Sequence, residues 1–79
     1  MTKEEFLALP CLNGTMTGEE LQLLVQMACD LTTRSDVAIA LDESLLAVEN
    51  WRHGYDLPIL PLRLDDYRAK LVALVKSLP

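Results

Sequence analysis

The sequence predicts an all-α protein, a compact domain of four to five helices in which two short helices meet at a tight corner. Three observations lead there. Residues 33–54 read as two short helices in succession. Thr2 with Glu5, and Thr17 with Glu20, have the spacing of capping boxes, and residues 62–78 carry an apolar stripe at helical spacing. With 79 residues, 51% of them apolar, the chain can build one small core with little margin, so residues 1–79 are expected to form a single domain.

The first element is a short helix from Lys3 to Leu9, capped by Thr2 and ended by Pro10, with Phe6, Leu7 and Leu9 on its apolar side. Asn13-Gly14 breaks the chain after it, so residues 1–16 form an N-terminal arm. That arm either covers the core or reaches a partner. Thr17 opens the first long helix, where Leu21, Leu24, Val25 and Ala28 repeat at core spacing until about Asp30. Leu23 and Met27 lie off that stripe and require the arm or a second subunit to cover them.

Thr33 caps the next helix, with Asp36 three residues on to complete a box, and Val37, Ala38 and Leu41 share one face. The corner falls at Asp42-Glu43, where aspartate tolerates the left-handed conformation. Ser44 caps the following helix, which turns Ala47, Val48 and Trp51 inward. Pro58 and Pro61 stiffen the link that leaves it. A last helix then runs from about Leu62 or Asp65 to Ser77, with Leu64, Tyr67, Leu71, Leu74, Val75 and Leu78 along one stripe and Val72 broadening it. Asp65 and Asp66 near its start and Lys76 near its end suit the helix dipole, and the width of the stripe makes 62–78 a candidate dimer surface.

Residues 33–54 resemble the helix-turn-helix of the Cro and lambda-repressor-like DNA-binding proteins, whose pattern runs roughly T-Q-x-x-L-A-x-x-L-G-V-S-x-x-x-V-S-x-W-x-x-G with a proline a few residues on. Thr33, Val37, Ala38, Leu41, Ser44, Val48, Trp51, Gly54 and Pro58 fall in register with it. Four positions depart: Arg34 stands for glutamine, Asp42 for the turn glycine, Glu43 for an apolar residue and Glu49 for serine. The resemblance implies a small regulator of phage or mobile-element type, binding a palindromic site as a homodimer, with the helix after Ser44 in the major groove.

On that reading Asn50 faces an adenine edge, Leu45 or Leu46 a thymine methyl, and Glu49 a cytosine amino group. Arg34, Arg52 and His53 supply phosphate contacts, joined by the Tyr55 hydroxyl and by backbone N–H groups at helix starts such as that behind Ser44. Leu45 and Leu46 suit a protein contact equally well, and His53 also suits a plain helix-terminal role.

Charge is the counterweight. The formal net charge is −5, whereas binding nucleic acid by bulk electrostatics needs clustered Lys and Arg. The acidity is concentrated in front, where Lys3 alone faces Glu4, Glu5, Glu19, Glu20 and Asp30, while residues 62–79 are net basic. The alternative reading follows: a protein-interaction module on the same scaffold, an antitoxin, inhibitor or recruiting factor that binds no DNA itself. No glycine-rich phosphate loop, metal-ligand spacing or nucleophile–base pair is legible, so an enzyme is not expected and no cofactor is implied. Cys11 and Cys29 read as structural thiols. The acidic start and the lack of an 18-residue apolar run suggest a cytoplasmic protein with no membrane association.

Overall fold

The computed structural model describes residues 2–79 and is all-helical over them. The helices are α1 (Lys3–Leu7), α2 (Gly18–Leu31), α3 (Arg34–Leu41), α4 (Leu45–Arg52) and α5 (Pro61–Ser77), with a single 3₁₀ turn at Pro10–Leu12 between α1 and α2. α5 packs along α1, α2 and α3, and α4 is held between α2 and α3.

The starts of the helices are written in the sequence. Thr2 and Thr17 both form complete capping boxes, each side chain accepting from the backbone of Glu5 or Glu20 while that glutamate accepts in return. Thr33 and Ser44 accept from the N–H groups of Asp36 and Ala47. The box expected at Thr33 is only half made. Asp36 is a methylene shorter than glutamate, and its carboxylate accepts from the Thr32 hydroxyl at 2.6 Å.

α5 begins earlier than its apolar stripe suggests. Pro61 takes the first helical position, where its missing N–H costs nothing and its fixed φ suits the helix. Asp65 and Asp66 therefore fall in the second turn, and no acid occupies the first; Lys76 does lie in the last turn.

The core is built from Phe6, Met16, the α2 stripe of Leu21, Leu24, Val25 and Ala28, and Val37, Ala38, Leu41, Val48 and Trp51 of α3 and α4. Leu64, Tyr67, Leu71 and Val75 of α5 complete it, so most of that helix's stripe faces inward. Val72, Leu74 and Met27 are half-buried against the core, and Leu23 is exposed.

Phe6 is fully buried, so the arm is part of the core. Polar contacts fasten it at both ends. The Lys3 ammonium donates to the carbonyls of Lys76 and Leu78 at 3.0 and 2.8 Å, a cation at a helix C-terminus. The Arg68 guanidinium donates to the carbonyls of Cys11 and Gly14 at 3.1 and 2.8 Å. Cys11 and Cys29 are free, and burial pushes both thiols above their ordinary range. No helix among the described residues is long and apolar enough to cross a membrane.

Candidate nucleic-acid interface

The corner between α3 and α4 closes on Asp42, whose backbone is left-handed at φ 55°, ψ 45°. Its N–H donates to the Ile39 carbonyl and the Glu43 N–H to the Ala38 carbonyl, the paired bonds of a Schellman motif. α4 ends by the same device. Gly54 takes φ 84°, the Gly54 N–H donates to Trp51 and the Tyr55 N–H to Asn50. Glu43, polar where the resemblance favours an apolar residue, accepts from the Tyr67 hydroxyl and lies 3.8 Å from Arg63. Burial first, and then the Glu43 bond, raise the Tyr67 pKa.

Four contacts seat α4. Val48 is fully buried, and the Trp51 and Tyr67 rings lie 4.9 Å apart at a 59° tilt, joining α4 to α5. The Trp51 indole N–H donates to the Asp56 carbonyl at 3.1 Å, and Asp56 is a second left-handed residue at φ 55°. The carbonyl of Arg52, at the helix C-terminus, accepts from Gln22 and Gln26 of α2 at 3.2 and 2.8 Å. His53 lies just beyond, at the C-cap.

With Val48 and Trp51 turned in, Leu45 and Leu46 are 52% and 70% exposed. Ile39 of α3 is 78% exposed, and Ala38, Ile39, Asp42, Glu43 and Leu45 line a shallow groove of about 480 Å³. The sequence pattern does not single out Ile39, although its place two residues from Val37 puts it on the opposite side of the helix from the core. A second hollow of about 310 Å³ is lined by Thr33, Arg34, Ser35, Leu45 and Glu49. It lies where the start of α3 meets the outer side of α4.

The charged residues of this surface converge on one carboxylate. Glu49 Oε1 accepts from Arg34 Nη1 and from Arg52 Nη1, both at 2.8 Å, and Oε2 lies 3.6 Å from His53 Nε2. Arg34 comes from the start of α3, whereas Arg52 and His53 follow Glu49 by three and four residues on its own helix. The Arg34 hydrogen bond and then the Arg52 bond hold the Glu49 carboxyl below the usual range, and the same contact raises Arg34. Arg52 Nε is enclosed with no acceptor.

The structure thus brings Arg34, Glu49, Arg52 and His53 into one cluster and sets Leu45 beside Ile39 on one groove, with Leu46 exposed next to Leu45 in the chain. Ser44 is the cap of α4, with its hydroxyl on the Ala47 N–H, and Asn50 is half-buried on the helix flank. Tyr55 stands apart and exposed, beyond the C-terminus of α4. Arg34, Arg52 and His53, which the sequence leaves free for phosphate, all lie against Glu49. Comparison with protein-family models, with curated proteins and with solved structures found no match to this chain.

Proposed function

We propose that the protein is a sequence-specific DNA-binding transcriptional regulator, a repressor acting as a homodimer on a palindromic operator. One observation carries the reading. The capped start of α3 and the outer side of α4 border the same hollow, so a helix N-terminus stands beside a helix that can enter a major groove. In that pose Asn50, Leu45 or Leu46, and Glu49 face base edges. Arg34, Arg52, His53 and Tyr55 lie along the phosphates, with Ser44 at the start of the helix.

The second subunit is assigned to the exposed segment Ile59, Leu60 and Leu62, which the core leaves uncovered at the entry to α5. Such a dimer would place two half-sites about one helical turn apart, roughly 34 Å. Selection of duplexes from a random library by the purified protein, with sedimentation of the free chain, tests both parts. Recovery of a two-fold symmetric consensus by a dimer supports them; a library that stays random sinks the DNA reading.

A second reading rests on a different observation. Ile39 and Leu45 line the 480 Å³ groove beside Asp42 and Glu43, and Leu46, next to Leu45 in the chain, is exposed. A protein-interaction module would use that face for an apolar, basic segment of a partner. Leu46→Asp abolishes such a complex, while Arg34→Ala leaves it intact.

A further inference from the structure

We infer that Glu49 is an internal competitor for DNA phosphate, holding Arg34 and Arg52 so that α4 binds weakly to DNA in general and firmly only where a base engages the carboxylate. The inference rests on the DNA-binding reading and assigns its discriminating residue.

The geometry is that of a phosphate contact already made within the protein. A carboxylate oxygen accepts from guanidinium groups at the distance a phosphate oxygen would, and Glu49 Oε1 receives two of them at 2.8 Å. Arg34 reaches Glu49 from the other helix of the motif, so the link spans the corner. Its side chain is 59% exposed, free enough to change partner.

On an arbitrary duplex, an arginine that turns from Glu49 to phosphate only exchanges one ion pair for another. The carboxylate then faces the polyanion without its partners. Little affinity is gained. The chain has 7 Lys and Arg against 12 Asp and Glu, so few other cations make up the difference.

On a matched duplex the exchange balances differently. Among the described residues Oε2 accepts no hydrogen bond and lies 3.6 Å from His53 Nε2, so it keeps acceptor capacity for a donor such as the exocyclic amino group of cytosine. Once a base donates to the carboxylate, the guanidinium groups can move to phosphate oxygens without leaving an unpaired anion behind. Affinity is thereby concentrated on sequences that present that donor.

The test is Glu49→Gln, which keeps the shape and removes the charge. Both proteins are titrated with the duplex selected by the wild type and with a random-sequence duplex, at about 50 and about 200 mM salt. Thermal unfolding is followed alongside, and Glu49→Ala serves as the second variant. The expected result is random-duplex binding tighter by about tenfold and a salt slope steeper by roughly one, with a smaller ratio between the two duplexes. Arg34→Ala in the Glu49→Gln background should remove most of that gain.

Random-duplex affinity and slope unchanged in both folded variants would overturn the inference. If the wild type selects no sequence but Glu49→Gln binds random DNA with a steep salt slope, the competitor role stands and the operator reading falls. If neither protein binds any duplex, both fall.

Discussion

Arg34 and Glu49 meet at 2.8 Å across the corner of the motif. They occupy two of the four positions at which the chain departs from the helix-turn-helix pattern it resembles, so the two departures answer each other. An arginine at the start of α3 gives the carboxylate on α4 a partner, and the carboxylate takes that arginine out of simple service to a phosphate.

A first prediction follows from the titration of Glu49. Its carboxyl is held down chiefly by Arg34 and then by Arg52, so its folded midpoint lies below the ordinary glutamate value of about 4.3. A group depressed in this way contributes stability above its unfolded pKa, and that contribution is lost as pH falls through the folded value. Carbon-detected NMR titration of the side-chain carboxyl should give a midpoint below that of an unperturbed glutamate, moving up in Arg34→Ala. A wild-type midpoint at or above the ordinary value would show that the cluster is not formed in solution. Because the groups are partly exposed, high salt should weaken the effect.

A second prediction concerns the seat of α4. Trp51 is nearly buried, stacks at a tilt on Tyr67 and donates to the Asp56 carbonyl. Trp51→Ala should cost about 3–5 kcal/mol, a large share of what a domain of this size holds. Trp51→Phe should cost less, with loss of the indole bond adding about 1 kcal/mol to the change in packing. Urea unfolding followed by far-ultraviolet circular dichroism measures both, and a Trp51→Ala loss below about 1 kcal/mol would contradict this packing.

Changes at the two left-handed helix ends should have opposite signs. Asp42→Gly removes the cost of holding a side chain at φ 55° and should stabilise by up to about 1 kcal/mol. Gly54→Ala forces a Cβ into φ 84° and to within 3.1 Å of the Gln22 amide, and should destabilise by about 1–2 kcal/mol. Thermal unfolding resolves these, since 1 kcal/mol moves the midpoint of such a domain by about 4–8 °C. Shifts of the same sign would mean that the corner is not the one described.

The arm supplies a fourth. Arg68→Met keeps the hydrocarbon stem but removes the bonds to the Cys11 and Gly14 carbonyls. Amide hydrogen exchange should then rise in residues 10–16 while the α2 interior stays protected. Phe6→Ala should cost about 3–5 kcal/mol, because the ring is wholly inside. Independence of the core from Phe6 would return the arm to a peripheral role.

Much of this architecture is legible in local chemistry. Thr2, Thr17, Thr33 and Ser44 announce helix starts because a hydroxyl before a helix satisfies an N–H that has no other partner. The spacing of Leu21, Leu24, Val25 and Ala28, and of Leu64, Tyr67, Leu71 and Val75, marks the faces that are in fact buried. Asp42 can be anticipated as left-handed because aspartate tolerates that region.

The features that escape a reading of the sequence depend on distance along the chain. Asp56 is left-handed as Asp42 is, and aspartate tolerates that region, but nothing local marks this residue as the place where the chain offers its carbonyl to the Trp51 indole. Pro61 reads as a stiffener of the link, although proline equally favours the first position of a helix. Arg52 and His53 are within reach of Glu49 by helical spacing, but the convergence depends on Arg34, 15 residues away in the chain. The clamp of Gln22 and Gln26 on the Arg52 carbonyl is likewise tertiary, with only the i, i+4 spacing of two amides as a trace.

Arginines on phosphate and side chains on base edges should separate in their signatures. Arg34→Ala and Arg52→Ala should weaken binding on every sequence and lower the salt slope by about 0.9 for each phosphate left without its arginine. Asn50→Ala should instead relax preference at one base pair, at a cost of about 1–3 kcal/mol on the matched site. If Leu46→Asp abolishes a protein complex while both arginine changes are silent, the interaction-module reading takes the place of DNA binding.

The most direct measurement is a fluorescence titration of the wild-type protein with its selected duplex and with an unrelated duplex, at about 50 and about 200 mM salt, with sedimentation of the free chain. The DNA-regulator account predicts a dimer that binds the selected duplex at least about a thousandfold more tightly and loses affinity as salt rises. A monomer that binds neither duplex at the lower salt would contradict it.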